Sequence, residues 1–131
     1  MGYPAQFQYT AEHQWVEIKD GQARIGITHY AQGQLGDVVF VEFPAVGTKY
    51  NKGESIVVIE SVKAISDISA PFSGTIIDIN TSLEETPELL NSDPHSKGWV
   101  MTMEMDDPVE AESLLNVEEY ERLLAEEEEK E

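Results

Sequence analysis

Apolar runs that never exceed a strand's length constrain this chain more than any other feature. Residues 38–43, 54–60, 65–69, 74–79 and 99–105 are rich in β-branched, aromatic or methionine side chains, and most are bounded by glycine, proline, asparagine or acidic residues. Runs of this length and punctuation read as strands. Residues 15–27 add a strand, a tight turn at Asp20-Gly21 and a second strand, the Asp-Gly pair tolerating the positive φ angles that such a turn needs. Helical signals are few. Thr28 is a candidate N-cap for a short helix through Leu35 that Gly36 ends, and residues 87–90 form at most one helical turn. Asp107 and Pro108 open a helix with Glu110 in its first turn, and Asn116 with Glu119 repeats the capping pattern. Two short C-terminal helices would bury Leu114, Leu115, Tyr120, Leu123 and Leu124 before a frayed acidic end at residues 126–131. The predicted fold is mainly β, a flattened barrel or sandwich of antiparallel sheets. A short helix follows its first hairpin, and helices close the C-terminus.

At 131 residues, with 40% hydrophobic side chains, the chain fits a single domain over residues 1–131, its core at about 7–125 and an acidic tail at 126–131. The formal charge is −18, and residues 110–131 hold ten Glu against Arg122 and Lys130. Such a surface repels phosphate backbones and anionic lipid, so neither nucleic acid nor membrane is an expected partner. The longest apolar stretch, residues 55–59, is too short to span a bilayer, and the N-terminus lacks a basic-then-apolar export pattern. A cytoplasmic protein of bacterial type is expected, with a processed mitochondrial form as the alternative. There is no cysteine, so sulfur redox chemistry could arrive only on a cofactor.

Enzymatic motifs are missing. His13, His29 and His95 are too scattered for a local zinc motif, and neither a G-x-S-x-G elbow nor a phosphate-binding G-x-x-x-x-G-K-[ST] loop occurs. One segment does carry chemistry. Residues 59–67, Ile-Glu-Ser-Val-Lys-Ala-Ile-Ser-Asp, place Lys63 in the turn between two apolar strands, where an acylating enzyme could find it on a protruding, recognisable feature. Lys19, Lys49, Lys52 and Lys97 sit beside Gly, Asn or Asp in ordinary loops.

This segment resembles the lipoyl-attachment site of glycine cleavage H proteins, whose signature is Glu-Ser-Val-Lys-Ala followed by Ser-Asp. The resemblance extends to His13 and Trp15, Gly26-Ile27-Thr28, the run Leu35-Gly36-Asp37-Val38-Val39-Phe40-Val41, Ser73-Gly74, Asn91, Gly98-Trp99 and Tyr120. It separates the chain from biotin carriers, which place the lysine between methionines. It implies a lipoyl- or biotinyl-carrier-like fold with lipoate on Lys63, Glu60 and Gly74 as elements read by the lipoylating enzymes, and no bond-breaking by the carrier itself. The implied partners are glycine decarboxylase (P protein), the aminomethyltransferase (T protein) and dihydrolipoamide dehydrogenase (L protein). The carrier would shuttle an aminomethyl group from the first to the second and be reoxidised by the third. Between visits the loaded arm of the family folds into a cleft, where an ammonium needs acceptors. Asp67 is the matching carboxylate. Glu12 and Gln14 complete the implied holding site, and Gln14 departs from the family's usual His-Glu-Trp run, as His95 departs from its usual tyrosine. An H-like lipoyl carrier serving lipoate relay or sulfur metabolism is the alternative.

Overall fold

The computed structural model describes residues 3–129, and for 128 and 129 the backbone alone. Strands β1 (Gln8–Tyr9), β2 (Gln14–Lys19) and β3 (Gln22–Ile27) open the chain, followed by helix α1 (His29–Leu35) and strand β4 (Val38–Glu42). Then come β5 (Lys49–Tyr50), β6 (Ser55–Ser61), β7 (Ile65–Ser69) and β8 (Gly74–Ile79), two single-turn helices α2 (Ser82–Glu85) and α3 (Leu89–Ser92), β9 (Met101–Met105) and a terminal helix α4 (Val117–Glu129). All pairings are antiparallel. They make a six-stranded sheet in the order β1-β2-β3-β9-β8-β5 and a separate three-stranded sheet β4-β6-β7. The two sheets are not joined into one closed barrel, which selects the sandwich of the two predicted alternatives.

Local chemistry accounts for the elements. Asp20 (φ 53°) and Gly21 (φ 79°) both adopt the left-handed conformation that the β2–β3 turn requires. Thr28 caps α1 by accepting from the Ala31 N–H. Gly26 lies under the Trp15 ring, and a Cβ there would come within 2.6 Å of the indole, so the tryptophan can pack flat only against glycine. Apolar side chains between the sheets, among them Ile25, Ile59, Ile68, Phe72, Ile76 and Met103, form the main core. A second, aromatic cluster of Phe7, Tyr9, Trp15, Tyr120 and Leu124 docks α4 beneath β1 and β2.

The C-terminus differs from expectation. The Pro108 segment is a 3-10 helix (Pro108–Ser113), as short pieces at element ends often are. Helix α4 is not short and does not fray at 126. It runs to Glu129, because Tyr120 and Leu124 anchor one face, while Leu114, Leu115 and Leu123 are only partly buried. Residues 130–131 of the expected acidic end lie outside the described residues. The predicted turn at 87–90 is displaced to Leu89–Ser92, and residues 81–85, read as a polar run, contain α2, which buries Leu83. The two-residue strands β1 and β5 left no periodic signal.

Candidate functional site

Lys63 sits at the end of the β6–β7 hairpin, whose register pairs Glu60 with Ile65 and leaves residues 61–64 to turn. No glycine, asparagine or proline helps this turn. Ser61 does the work instead: its hydroxyl oxygen accepts from the N–H groups of Lys63 (3.2 Å) and Ala64 (3.1 Å), and its backbone N–H donates to the Ala64 carbonyl (2.9 Å). The tip is also fastened sideways, the Val62 N–H donating to the Asp37 carbonyl at 2.9 Å. Asn91 of α3 braces that neighbouring loop, donating to the Gly36 carbonyl (2.9 Å) and accepting from the Val38 N–H (2.8 Å).

Gly36 explains how the lysine leaves the turn. It holds φ 77° and ψ −163°, a conformation open in practice to glycine alone. A Cβ at this position would lie 3.0 Å from Cε of Lys63, so the aliphatic stem crosses the bare Cα. The amine beyond is exposed and, among the described residues, makes no hydrogen bond or ion pair. It is rigidly rooted and chemically free.

Beside the tip a cavity of about 310 Å³ opens between α1, the start of β2 and edge strand β7. Its walls include Ile27, Ala31, Leu35 and Ile59, and its polar side includes Glu12, Gln14 and Asp67, so the structure brings all three predicted holding residues together. They are not equivalent. Gln14 is 3% exposed and committed: its amide donates to the Ser69 carbonyl (2.9 Å) and accepts from the Thr10 hydroxyl (3.1 Å). Glu12 is exposed, and its carboxylate accepts a 2.6 Å hydrogen bond from the Ser69 hydroxyl. Asp67 is exposed on β7, opposite Val58 in the ladder, so its side chain shares a sheet face with Val58 and not with Ser66 and Ile59.

Glu60 is the penultimate residue of β6, half-buried, directly opposite Ile65. Gly74 is in the other sheet, buried at the start of β8, where a Cβ would collide with the Glu104 carbonyl oxygen. That gives it a packing reason independent of recognition. A larger hollow, about 650 Å³, at the β2–β3 turn is lined by Glu17, Lys19, Asp20 and Arg24 and contains none of the predicted site residues. No group of three or more His, Asp or Glu among the described residues could hold a metal ion.

Sequence reasoning missed one arrangement next to the cleft. His13, at φ 69°, contacts the Tyr120 hydroxyl through Nδ1 (2.9 Å) and Glu127 through Nε2 (3.0 Å). Burial holds its pKa below the usual histidine value, against the raising effect of Glu127. The neutral Nε2–H form satisfies every partner. Nε2–H donates to Glu127, Nδ1 accepts from Tyr120, and Tyr120 accepts from Thr28 at 2.7 Å. The phenol's own pKa is raised, chiefly by burial.

One unengaged lysine on a pinned turn of an antiparallel β scaffold, beside a mixed apolar and acidic cleft, defines a cofactor carrier of the swinging-arm class. Comparison with known proteins narrows the class. The family model for the glycine cleavage H-protein matches residues 7–127. The glycine cleavage system H protein of Acidobacterium capsulatum is 50% identical over 127 residues, covering 97% of this chain and 98% of that protein. That of Bacillus subtilis is 42% identical over 126 residues, covering 96% and 99%. The crystal structure of a glycine cleavage system H protein from Mycobacterium marinum superposes with a TM-score of 0.83 at 38% identity, over 90% of this chain and 95% of that one. The chain belongs to the glycine cleavage H-protein family. It is a carrier component, not a catalyst.

Proposed function

We propose that Lys63 is the attachment point of lipoate, joined as an amide through Nζ, and that the chain serves as the lipoyl carrier of a glycine cleavage system. The observation that carries this reading is the free amine on a turn held by Ser61 and Asp37, with its stem laid across Gly36. Bound lipoate supplies a dithiolane that takes up the aminomethyl group and returns through its reduced dithiol. The protein supplies tethering, which replaces free diffusion of a reactive fragment by local concentration. The cavity of about 310 Å³ is of ligand-pocket size, and its apolar walls suit the arm's hydrocarbon and ring. At its mouth Glu12, set by Ser69, is the first acceptor for the cargo ammonium and Asp67 the second. Gln14 positions the strand that carries Glu12 and is not itself a charge partner.

Glycine decarboxylase, the aminomethyltransferase and dihydrolipoamide dehydrogenase are the enzymes served, and the lipoylating enzymes read Glu60 on the hairpin. Gly74 supports that recognition by keeping β8 against β9. We read residues 1–131 as one carrier domain of the cytoplasm; no described helix is long and apolar enough to cross a membrane. Gln14 in place of the family's usual carboxylate favours a second reading, an H-like carrier in lipoate relay or sulfur metabolism. Peptide mass spectrometry of protein from its own lipoate-replete cells tests the first reading. The expected result is one lipoyl group, on Lys63, and none in a folded Lys63→Arg variant, since arginine offers no acylable amine. Lipoate on another lysine overturns it. Failure of the lipoylated protein to accept carbon from glycine would select the second reading.

A further inference from the structure

Helix α1 is held at both ends by one short segment, residues 91–95. At its C-terminus the Asn91 amide donates to the Gln32 side-chain oxygen (3.1 Å) and to the Gly36 carbonyl (2.9 Å). At its start the His29 N–H, the first of the helix, donates to Nε2 of His95 at 3.0 Å, while the Thr28 hydroxyl accepts from Ala31. An N–H at this position has no partner within its own helix, so a side chain or water must supply one. His95 can supply it because its loop is fixed. The Trp15 indole donates to the Pro94 carbonyl (2.8 Å), and the Asn80 amide donates to the carbonyls of Lys97 (2.9 Å) and Trp99 (2.7 Å). The half-buried His95 ring lies beside Tyr3 and Phe7, with centroids 5.6 and 6.3 Å away. What the helix carries gives this contact its consequence: Ala31 and Leu35 wall the cleft, and Gly36, just past its end, bears the stem of Lys63.

A neutral imidazole accepts at Nε2 only when its proton is on Nδ1, and the doubly protonated ring presents N–H groups at both nitrogens. Protonation of His95 therefore sets a donor against the His29 N–H and a cation at the positive end of α1, two effects of the same sign. We propose that His95 is a positioning residue for the arm: by accepting from the first N–H of α1 it sets the helix that walls the cleft, and it does so only while neutral, so the cleft holds its cargo less tightly in mild acid. The proposal rests on Lys63 being the tether. The titratable groups facing the ring are His29 on α1, Asp93 on its own loop and the Tyr3 phenol on the N-terminal segment. Burial keeps the imidazole below the usual histidine value, with His29 adding to the effect and Asp93 opposing it, so the ring is neutral at pH 7 and takes up its proton below about pH 6.5.

The test has two stages. In unmodified protein, the His29 amide proton and the Leu35 methyl groups are followed by NMR from pH 8 to 5. Both should move with the midpoint of His95, and both should lose that step in His95→Gln, whose side-chain oxygen accepts at similar reach and does not titrate. In the second stage, lipoylated protein is charged with the aminomethyl group at pH 7.5 and freed of the decarboxylase, and formaldehyde release then measures the loaded lifetime at each pH. The ratio of unmutated to His95→Gln lifetimes should be near one at pH 7.5 and fall about threefold at pH 5.5. His13, which lines the same cleft, is common to both proteins and cancels in the ratio. His95→Leu, without an acceptor, should be about threefold shorter-lived than His95→Gln at both pH values. A His29 amide that ignores His95 overturns the cap, and a lifetime ratio that stays level across pH overturns the positioning role. Intact mass is read before loading: lipoate missing from Lys63 refutes the tether, and this role with it, while the first stage still reports the cap by itself. Equilibrium unfolding of each variant separates a loosened helix from a lost fold, and the glutamine variant alone decides the result if the leucine variant does not fold.

Discussion

Position 14 shows how one amide can redirect a site. A carboxylate there could not donate to the Ser69 carbonyl, so the buried hydrogen bond that ties β2 to the end of β7 exists only with glutamine. Gln14→Glu should therefore not improve cargo holding. It should lower the unfolding free energy by roughly 1–3 kcal/mol, the cost of leaving a buried acceptor facing an acceptor. In the proposed holding site Glu12 is the first charge partner, so Glu12→Gln should shorten the lifetime of the loaded arm about fivefold, as losing a solvent-screened contact near 1 kcal/mol would. Asp67→Asn should do less, because the ladder turns Asp67 toward the outer sheet face. Formaldehyde release from loaded protein in the absence of the transferase measures all three, and a larger effect at Asp67 than at Glu12 would reverse this assignment. Lys63 was legible in the sequence because turn, strands and motif are contiguous. The commitment of Gln14 was not, since its partner lies 55 residues away.

Among the elements, α4 departs most from its sequence. Its start was legible: Asn116 and Glu119 exchange the two hydrogen bonds of a capping box, at 2.9 and 2.8 Å. Its end was not, because a run of glutamates looks like a solvated tail until His13, more than a hundred residues earlier, supplies a partner for Glu127. Burial of His13, which outweighs the opposing pull of Glu127, makes stability pH-dependent. Because the folded His13 pKa lies below the unfolded value, the unfolded chain takes up the proton first as pH falls through about 6.5. Stability is thus fully present above that pH and declines from there down to the folded pKa. His95, also depressed by burial, adds a decline of the same sign. His13→Asn, whose side chain tolerates the positive φ, should flatten part of that slope. Thermal midpoints between pH 8 and 5 check this, and an unchanged slope would leave His13 without a role in it. The helix was likewise hidden at Ser82–Glu85, where polar residues surround the one side chain, Leu83, that the core claims.

Over the whole molecule, net charge governs encounter. At −18 before modification, the carrier should meet cationic partner rims faster at low ionic strength, with the advantage fading as the screening length falls to about 10 Å near 0.1 M salt. Second-order rates of dihydrolipoamide reoxidation against ionic strength measure this, and a flat profile would remove long-range steering. Fold class was readable from strand-length apolar runs. The division into six- and three-stranded sheets was not, because β4 and β6 look alike in sequence to the strands of the larger sheet, and which edge each joins depends on contacts across the core. The small sheet has its own mechanical meaning. Since Val62 is bonded to Asp37 and Asn91 clamps the Asp37 loop, the root of the arm is a fixed pivot, and the arm's length is the radius of a sphere drawn about it. Every enzyme that uses this carrier must place its reacting centre on or inside that sphere when docked, so the depth of each partner's channel is bounded by the same radius.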